Sequence, residues 1–164
     1  TLVLPSFKLD VHETLKSIEK YKCTSAFFIP KVLINLLNEN KKLACDLSSL
    51  QFLLVGGQHI NNDLVMRVKN ELKSLIGLFI VFASTELNGV SYYVLALNSY
   101  SPDVYNSCVG KPYPFVECKI VNPVNGQIQP LNVEGELFIR SPTVTPGYWN
   151  DPEMTLKNKD NNGW

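Results

Sequence analysis

The sequence predicts an α/β fold in which part of a layered parallel sheet is followed by a small, irregular β-subdomain. In the first half of the chain, segments with helical apolar spacing alternate with short, continuous apolar runs, a pattern typical of parallel strands covered by helices. After about residue 88, turn residues and alternating strands replace that pattern. We therefore predict an α/β subdomain over residues 1–88 and a β-rich subdomain over residues 89–164.

Three segments of the first part carry helix start signals. Asp10 followed by Glu13 resembles a capping box, Pro30 suits a first helical turn, and Asn61 or Asn62 can cap a third helix. Apolar residues at helical spacing follow each signal, which predicts one buried face per helix. The predicted inner positions are Val11, Leu15 and Ile18, then Val32, Leu33, Leu36 and Leu37, and finally Leu64, Val65, Val68, Leu72 and Leu75.

Continuous apolar runs lie between and after these helices, at 26–29, 52–55 and 78–82. Runs without alternation are typical of strands that are buried on both faces. The predicted order is therefore α-β-α-β-α-β, which indicates part of a parallel sheet.

The second part contains hairpin and turn signals. Asn125-Gly126 separates the short strands 119–121 and 126–128, which predicts a hairpin. Residues 136–140 alternate polar and apolar side chains, as a half-exposed strand does. Prolines divide the remainder into short pieces: Pro112, Pro114, Pro123, Pro130, Pro142, Pro146 and Pro152.

Composition excludes several classes of protein. Fifteen basic and fifteen acidic residues cancel, so we expect neither nucleic acid nor an anionic membrane as a partner. The longest apolar run, 75–83, is far shorter than the roughly 20 residues of a membrane-spanning helix. Four widely spaced cysteines without a C-x-x-C pair predict reduced, mostly buried thiols. We expect an intracellular protein, with the mitochondrial matrix and the cytoplasm both left open.

The strand ends carry the candidate site residues. Ligands of open parallel sheets bind beyond the carboxyl ends of the strands, where Gly56-Gly57 and 83–86 lie. Glycines let a backbone approach a flat ligand closely, and Thr85 offers a hydroxyl to a phosphate oxygen. Glu86 offers a carboxylate suited to Mg²⁺ held jointly with a nucleotide, and Phe82 offers a ring on which a base can stack.

Each of these features also has a simpler interpretation. Two glycines at a strand end are usual in a turn, and Ser84-Thr85-Glu86 after a strand is typical of a helix cap. Phe82 alone is more typical of a core. Taken singly, the simpler interpretations are favoured.

Taken in order, the segments resemble the adenylate-forming superfamily of acyl- and aryl-CoA synthetases, beetle luciferases and peptide-synthetase adenylation domains. Residues 82–86, Phe-Ala-Ser-Thr-Glu, resemble its Tyr-Gly-x-Thr-Glu motif, and 56–59 lie where it has Gly-Gly-Ala-Pro. Further matches are 109–112 to Val-Gly-Arg-Pro, 135–144 with 147–149 to the Gly-Glu-Leu…Gly-Tyr signature, and 162–164 to the start of Asp-Gly-Trp. The opening stretch, 2–5 and 24–30, looks most like medium-chain fatty acyl-CoA synthetases.

The resemblance implies a two-step reaction and a role for each matched residue. A carboxylate attacks the α-phosphate of ATP to give an acyl-adenylate and pyrophosphate, and CoA then displaces AMP. Thr85 and Glu86 would be catalytic, with Glu86 also holding Mg²⁺. The residues implied to bind ATP or AMP are Gly56, Gly57, Gln58, Phe82, Ala83, Ser84 and Thr85, and those implied to border the acyl pocket are Ala83, Gly89 and Val90. Gly147-Tyr148 is implied to shape the β-subdomain rather than touch substrate.

Departures from the pattern leave alternatives open. Phe82 replaces tyrosine, Ala83 replaces glycine, and Gln58-His59 replaces Ala-Pro. We expect a fatty acid–CoA ligase of which this chain is part of the large N-terminal domain. The alternatives are an aryl- or short-chain-acid ligase and a non-catalytic nucleotide or acyl-adenylate binder. The phosphate loop, ribose-binding aspartate and catalytic lysine of the family fall outside the chain, so we expect the chain alone to be inactive.

Overall fold

The computed structural model describes residues 1–5, 10–97 and 108–164. Its elements confirm the predicted mixed α/β fold and the order α-β-α-β-α-β of the first part. The helices and strands are α1 (Val11–Tyr21), β1 (Ser25–Phe28), α2 (Pro30–Leu43), β2 (Phe52–Gly56), α3 (Asn62–Glu71), β3 (Gly77–Ser84), β4 (Asn88–Ala96), β5 (Lys111–Pro112), β6 (Glu117–Val121), β7 (Glu136–Arg140) and α4 (Pro152–Asn158).

The chain forms two compact units. Unit 1 comprises residues 1–81 and 92–110, and unit 2 comprises residues 82–91 and 111–164. The chain passes from one unit to the other within β3 and again within β4.

The predicted start signals of the unit 1 helices are confirmed. The Asp10 carboxylate accepts a hydrogen bond from the Glu13 N–H at 3.0 Å, and the Asn61 side chain accepts one from the Leu64 N–H at 3.0 Å. Pro30 occupies the first turn of α2, where its missing N–H costs no intrahelical bond. Local side-chain chemistry therefore sets where each helix begins.

Strands β1, β2 and β3 are parallel and lie side by side in that order. Crossovers between parallel strands are almost always right-handed, so a sheet that grows in one direction places α2 and α3 on the same face. Phe28, Val55 and Ile80 are in register on that face and are buried there with the inner positions of the helices. This layer is the apolar core of unit 1.

The opposite sheet face differs from the prediction. Side chains alternate between the faces of a strand, so Phe27 and Phe52 lie opposite the core. Phe27 is 60% exposed, and Phe52, Tyr92 and Val94 are exposed as well. Within the described residues, the prediction that these strands are buried on both faces is wrong, because α2 and α3 cover a single face.

The chain reverses after β3. Residues 85–87 form a turn that leads directly into β4, the neighbour of β3 in the sheet. The Leu97 N–H donates to the Ile76 carbonyl at 3.3 Å, so the end of β4 meets the start of β3. The interpretation of Ser84-Thr85-Glu86 as a helix cap is therefore wrong, since a strand follows it.

Strands β6 and β7 of unit 2 form an antiparallel pair, with Glu117 opposite Arg140 and Val121 opposite Glu136. The predicted strand 136–140 is confirmed. A turn forms over residues 123–125, earlier than the predicted centre at Asn125-Gly126, and the Gly126 N–H closes it by donating to the Asn122 carbonyl at 2.9 Å. The predicted hairpin ladder is limited to one bridge between Val121 and Ile128, with the Asn122 N–H donating to the Gln127 carbonyl at 2.8 Å.

The structure bears on the expectations about membrane-spanning helices and cysteines. In the part of the chain that the structure describes, no helix combines the length and the apolar character needed to cross a bilayer. The expectation of mostly buried thiols is wrong: Cys23 and Cys45 are half-buried, and Cys108 and Cys118 are exposed. All four are free, as expected.

Candidate functional site

The Gly56-Gly57 loop at the end of β2 requires both of its glycines. A Cβ on Gly56 would lie 2.5 Å from the carbonyl oxygen of Val81, its neighbour on β3. Gly57 has φ +81°, a left-handed conformation that strongly favours glycine. The first glycine is thus explained by sheet packing and the second by a turn, while Gly57 and Gln58 are exposed at the strand end. All of these residues belong to unit 1.

Residues 82–86 open unit 2 at the end of β3. Phe82 and Ser84 are half-buried, whereas Ala83 and Thr85 are exposed. Ser84 and Glu86 line a cavity of about 450 Å³ that lies within unit 2. The cavity is completed by β7, the loop that follows it, and α4, through residues that include Phe138, Thr145, Tyr148, Lys157, Lys159 and Trp164.

The Glu86 carboxylate is surrounded by hydrogen-bond donors. Its Oε1 accepts a hydrogen bond from the Tyr148 hydroxyl at 3.0 Å. Its own backbone N–H is the largest influence that holds the pKa of Glu86 below its ordinary value, followed by the hydroxyls of Ser84 and Tyr148. Donors stabilise the charged form of a carboxylate, so this side chain is ionised and the Tyr148 hydroxyl orients its Oε1.

The loop after β7 fixes the backbone around Glu86. The Thr145 N–H donates to the Glu86 carbonyl at 2.7 Å, and the Thr143 hydroxyl donates to the Leu87 carbonyl at 3.2 Å. The Lys159 ammonium donates to the Thr145 carbonyl at 3.0 Å. The turn that carries Glu86 is therefore anchored to a segment more than fifty residues away in the sequence.

Tyr148 is anchored by α4. Its backbone N–H donates to the Thr155 hydroxyl at 2.9 Å, and that hydroxyl donates to the Asp151 carbonyl at 2.8 Å. A Cβ on Gly147 would lie 2.6 Å from Thr155 Cγ2, so glycine is needed for this close approach. Asp151 in turn caps α4 by accepting from the Met154 N–H at 2.9 Å.

Gly89 and Val90 lie on β4 within unit 2. A Cβ on Gly89 would lie 3.1 Å from the ring of Tyr113, and the Tyr113 N–H donates to the Val90 carbonyl at 3.0 Å. Val90 is buried. The aromatic ring of Tyr113 therefore covers the position that Gly89 leaves open.

The structure adds a contact that the sequence interpretation missed. The resemblance implies that Tyr148 shapes the β-subdomain, yet its hydroxyl bonds the carboxylate of Glu86. Their separation of 62 positions in the sequence hides this pair from any local pattern. The available signal was that both residues belong to motifs of the same family resemblance.

The described residues contain no group of three or more histidine, cysteine, aspartate or glutamate side chains placed to hold a metal ion. Magnesium in nucleotide sites is commonly held by one or two carboxylates together with phosphates. An ionised carboxylate at the edge of a cavity fits that mode of binding. Glu86 is the residue that offers it here.

Comparison with known proteins gives a consistent family. A family model described as AMP-binding enzyme matches residues 1–149. The chain is 31% identical over 166 aligned residues to a probable CoA ligase of Humulus lupulus, covering 100% of this chain and 29% of the relative. It is 30% identical over 155 residues to a mitochondrial medium-chain acyl-CoA ligase of Danio rerio, covering 94% of this chain and 25% of the relative.

A solved structure is also similar. The luciferase-like enzyme of the nonluminescent mealworm Zophobas morio superimposes with a TM-score of 0.78 at 28% identity, covering 96% of this chain and 37% of that one. The chain therefore spans less than a third of the length of the two sequence relatives and just over a third of this structure.

Proposed function

This chain belongs to the family of AMP-binding enzymes, and from that premise we propose that it forms half of the adenylate site of an ATP-dependent acid–CoA ligase. The observation that carries the proposal is the ionised Glu86 carboxylate, held by hydroxyl donors at the cavity edge directly after β3. The ligase names of the relatives support the reaction class.

The proposed reaction has two steps that share the activated carboxylate. A carboxylate oxygen forms a bond to the α-phosphorus of ATP, and the bond from that phosphorus to the β-phosphate oxygen breaks and releases pyrophosphate. The CoA thiol then loses its proton and forms a thioester with the acyl carbon, and AMP leaves. Positioning and electrostatic stabilisation account for most of the catalysis in such transfers.

Individual residues receive proposed roles within that scheme. Glu86 would hold Mg²⁺, which would neutralise phosphate charge when bound, and Thr85 would donate its hydroxyl to the α-phosphate. Phe82 would stack on adenine, with Gly56, Gly57 and Gln58 along the base and Ala83 and Ser84 beside the nucleotide. Ala83, Gly89 and Val90 would border the acid. Val90 is buried, so it would shape such a pocket from beneath its surface.

For the acid, we propose a fatty acid of medium or related chain length. The relative from Danio rerio is named as a medium-chain acyl-CoA ligase. Ala83, Gly89 and Val90, the residues proposed to border the acid, carry no charge that could pair with a polar tail. An aryl or short-chain acid is the alternative within the same chemistry. The proposed use of ATP and CoA also suggests an intracellular location.

A non-catalytic binder of nucleotide or acyl-adenylate is the second candidate function. The substitutions at Phe82, Ala83 and Gln58 relative to the family motifs favour it. The retained Thr85 and the oriented Glu86 carboxylate favour turnover.

Acid-dependent exchange between ATP and pyrophosphate tests both candidates in the protein that carries this chain. A panel of acids from C6 to C12, aromatic acids and short acids is compared at saturating Mg²⁺. Exchange with the C6 to C12 acids that Glu86→Gln abolishes is the expected result. Exchange restricted to aromatic or short acids replaces the proposed substrate class, and none with any acid overturns the ligase proposal.

The 164-residue chain alone is proposed to be inactive, because the remaining groups of the family's site fall outside it. Pyrophosphate release by this chain that depends on a fatty acid would contradict that proposal.

A further inference from the structure

We propose that Tyr148 is a positioning residue for the Glu86 carboxylate, holding it in the orientation in which it receives the magnesium ion of the bound nucleotide. The inference rests on the function proposed above, since that function supplies the nucleotide and the ion. It assigns to the Gly147-Tyr148 pair a role in the site rather than in the shape of the β-subdomain alone.

The geometry of the contact is the first argument. The Tyr148 hydroxyl donates to Glu86 Oε1 at 3.0 Å across 62 positions of sequence. Both residues lie in unit 2 and line the same cavity. A glutamate side chain in a turn otherwise samples several rotamers, and one fixed donor removes much of that freedom.

Both ends of the contact are anchored, which is the second argument. The Glu86 carbonyl accepts from the Thr145 N–H at 2.7 Å, and the Tyr148 N–H donates to the Thr155 hydroxyl at 2.9 Å. Gly147 lets the loop approach α4, since a Cβ there would lie 2.6 Å from Thr155 Cγ2. Because the backbones of Glu86 and Tyr148 are both held by hydrogen bonds, the contact between hydroxyl and carboxylate is preorganised.

The chemistry of the donor is the third argument. A ligating carboxylate is commonly oriented by a neighbouring hydrogen bond, and loss of that partner weakens metal affinity. A phenol is a neutral hydrogen-bond donor, and the Tyr148 hydroxyl lies 3.0 Å from Glu86 Oε1. It therefore orients the carboxylate without adding charge.

Calorimetry on the protein that carries this chain tests the proposal. ATP dissociation constants are measured in Mg²⁺ and in EDTA, and their ratio gives the magnesium enhancement of ATP binding. Tyr148→Phe removes the hydroxyl and keeps the ring, and Glu86→Gln removes the proposed ligand charge. Tyr21→Phe removes a hydroxyl from an exposed tyrosine of unit 1 and is the matched control.

Tyr148→Phe is expected to reduce the magnesium enhancement by about two- to tenfold, the size typical of one hydrogen bond, with ATP affinity in EDTA unchanged. Glu86→Gln is expected to remove more of the enhancement, and Tyr21→Phe to match the wild type. An unchanged enhancement in Tyr148→Phe overturns the proposal. If Tyr148→Phe weakens ATP binding equally in Mg²⁺ and in EDTA, the proposal is also overturned, because that result indicates a general loss of the nucleotide site.

A second variant keeps the test decisive if Tyr148→Phe does not fold. Thr155→Val removes the anchor of the Tyr148 backbone and leaves the phenol in place, so a smaller reduction in the same direction is expected, and no reduction overturns the proposal. Wild-type protein with magnesium-enhanced ATP binding but no exchange with any acid overturns the ligase function alone. Wild-type protein without magnesium enhancement overturns the positioning role.

Discussion

Unit 1 and unit 2 are each stabilised internally by a different kind of interaction. In unit 1, the helices and the strands share one apolar layer that includes Leu33, Leu36 and Leu53. In unit 2, the buried apolar side chains among the described residues are Val90, Val121 and Ile139. Hydrogen bonds from hydroxyls, amides and an ammonium hold the rest of its candidate site in place.

This difference separates stability from function within one chain. Apolar burial is non-directional and contributes in proportion to area, so unit 1 supplies folding free energy without fixing any one polar group. Hydrogen bonds contribute less each but fix direction. We therefore expect substitutions in unit 1 to change stability most, and substitutions in unit 2 to change the geometry around Glu86.

The largest effect is expected from the core of unit 1. Leu36 is fully buried on α2, and Leu36→Ala should lower the free energy of unfolding by about 2–5 kcal/mol through lost burial and a cavity. Denaturant unfolding of the protein that carries this chain measures this loss. Leu43→Ala at the exposed end of the same helix is the control, and an equal loss in both variants would contradict the assignment of the core.

Gly147→Ala should have the next largest effect. Its added methyl group meets Thr155 Cγ2 and Oγ1, at 2.6 and 2.8 Å, and overpacking of this kind costs about 1–3 kcal/mol. We also expect the Tyr148–Glu86 contact to lengthen, because the loop must move away from α4. Unfolding measurements and the magnesium enhancement of ATP binding report the two effects.

The matched test for this clash is a double-mutant cycle with Thr155→Ala. That background lacks the two nearest side-chain atoms that the added methyl group would meet and keeps only Cβ, at 3.3 Å, so the destabilisation by Gly147→Ala should shrink. If the losses of unfolding free energy in the two single variants simply add in the double variant, the glycine is needed for a reason other than its contact with Thr155.

The same contrast explains what could be predicted from the sequence. The helices of unit 1 were predictable because Asp10, Pro30 and Asn61 set their starts locally and apolar spacing marked their inner faces. Which faces of the strands are buried was not predictable from the apolar runs alone. The run at 26–29 specifies a strand, but its apolar character does not fix which layers cover Phe27.

For unit 2, the family resemblance located Glu86, whereas periodicity gave only the strand 136–140. The turn after β3 could also be interpreted as a helix cap, because the residue types of Ser84-Thr85-Glu86 suit both a helix cap and a turn between strands. The contacts that define the site run from 86 to 145 and from 86 to 148. Contacts across such separations have no periodic signature, so they required the structure.

A smaller effect on stability is expected where two cations lie close to the Trp164 ring. Lys119 Nζ is 4.1 Å and Arg140 Cζ is 4.6 Å from the centre of its ring. Lys119→Met keeps most of the side-chain length and removes the charge, so we expect the free energy of unfolding to fall by about 0.5–1 kcal/mol. Unfolding of Lys119→Met is compared with Lys31→Met on exposed surface of unit 1, and equal stabilities would contradict a cation–π contribution.

The smallest effect concerns the titration of Glu86. Its pKa is held below the ordinary value of 4.5, first by its own backbone N–H and then by Ser84 and Tyr148. A carboxylate with a lowered folded-state pKa stabilises the fold above its unfolded pKa, and that stabilisation is lost as pH falls through the lower folded value. This stabilisation is therefore lost only below pH 4.5, and it is fully present at neutral pH.

Tyr148→Phe removes one of the later contributors and leaves the backbone N–H, so the pKa of Glu86 should rise part of the way towards its ordinary value. Carbon NMR of the labelled Glu86 carboxyl group, followed through the acid range, measures that displacement. Tyr21→Phe should leave the titration where it is in the wild type. An undisplaced titration in Tyr148→Phe would mean that the hydroxyl at 3.0 Å does not act on the charged carboxylate, and the backbone N–H of Glu86 and the Ser84 hydroxyl would then account for its lowered pKa.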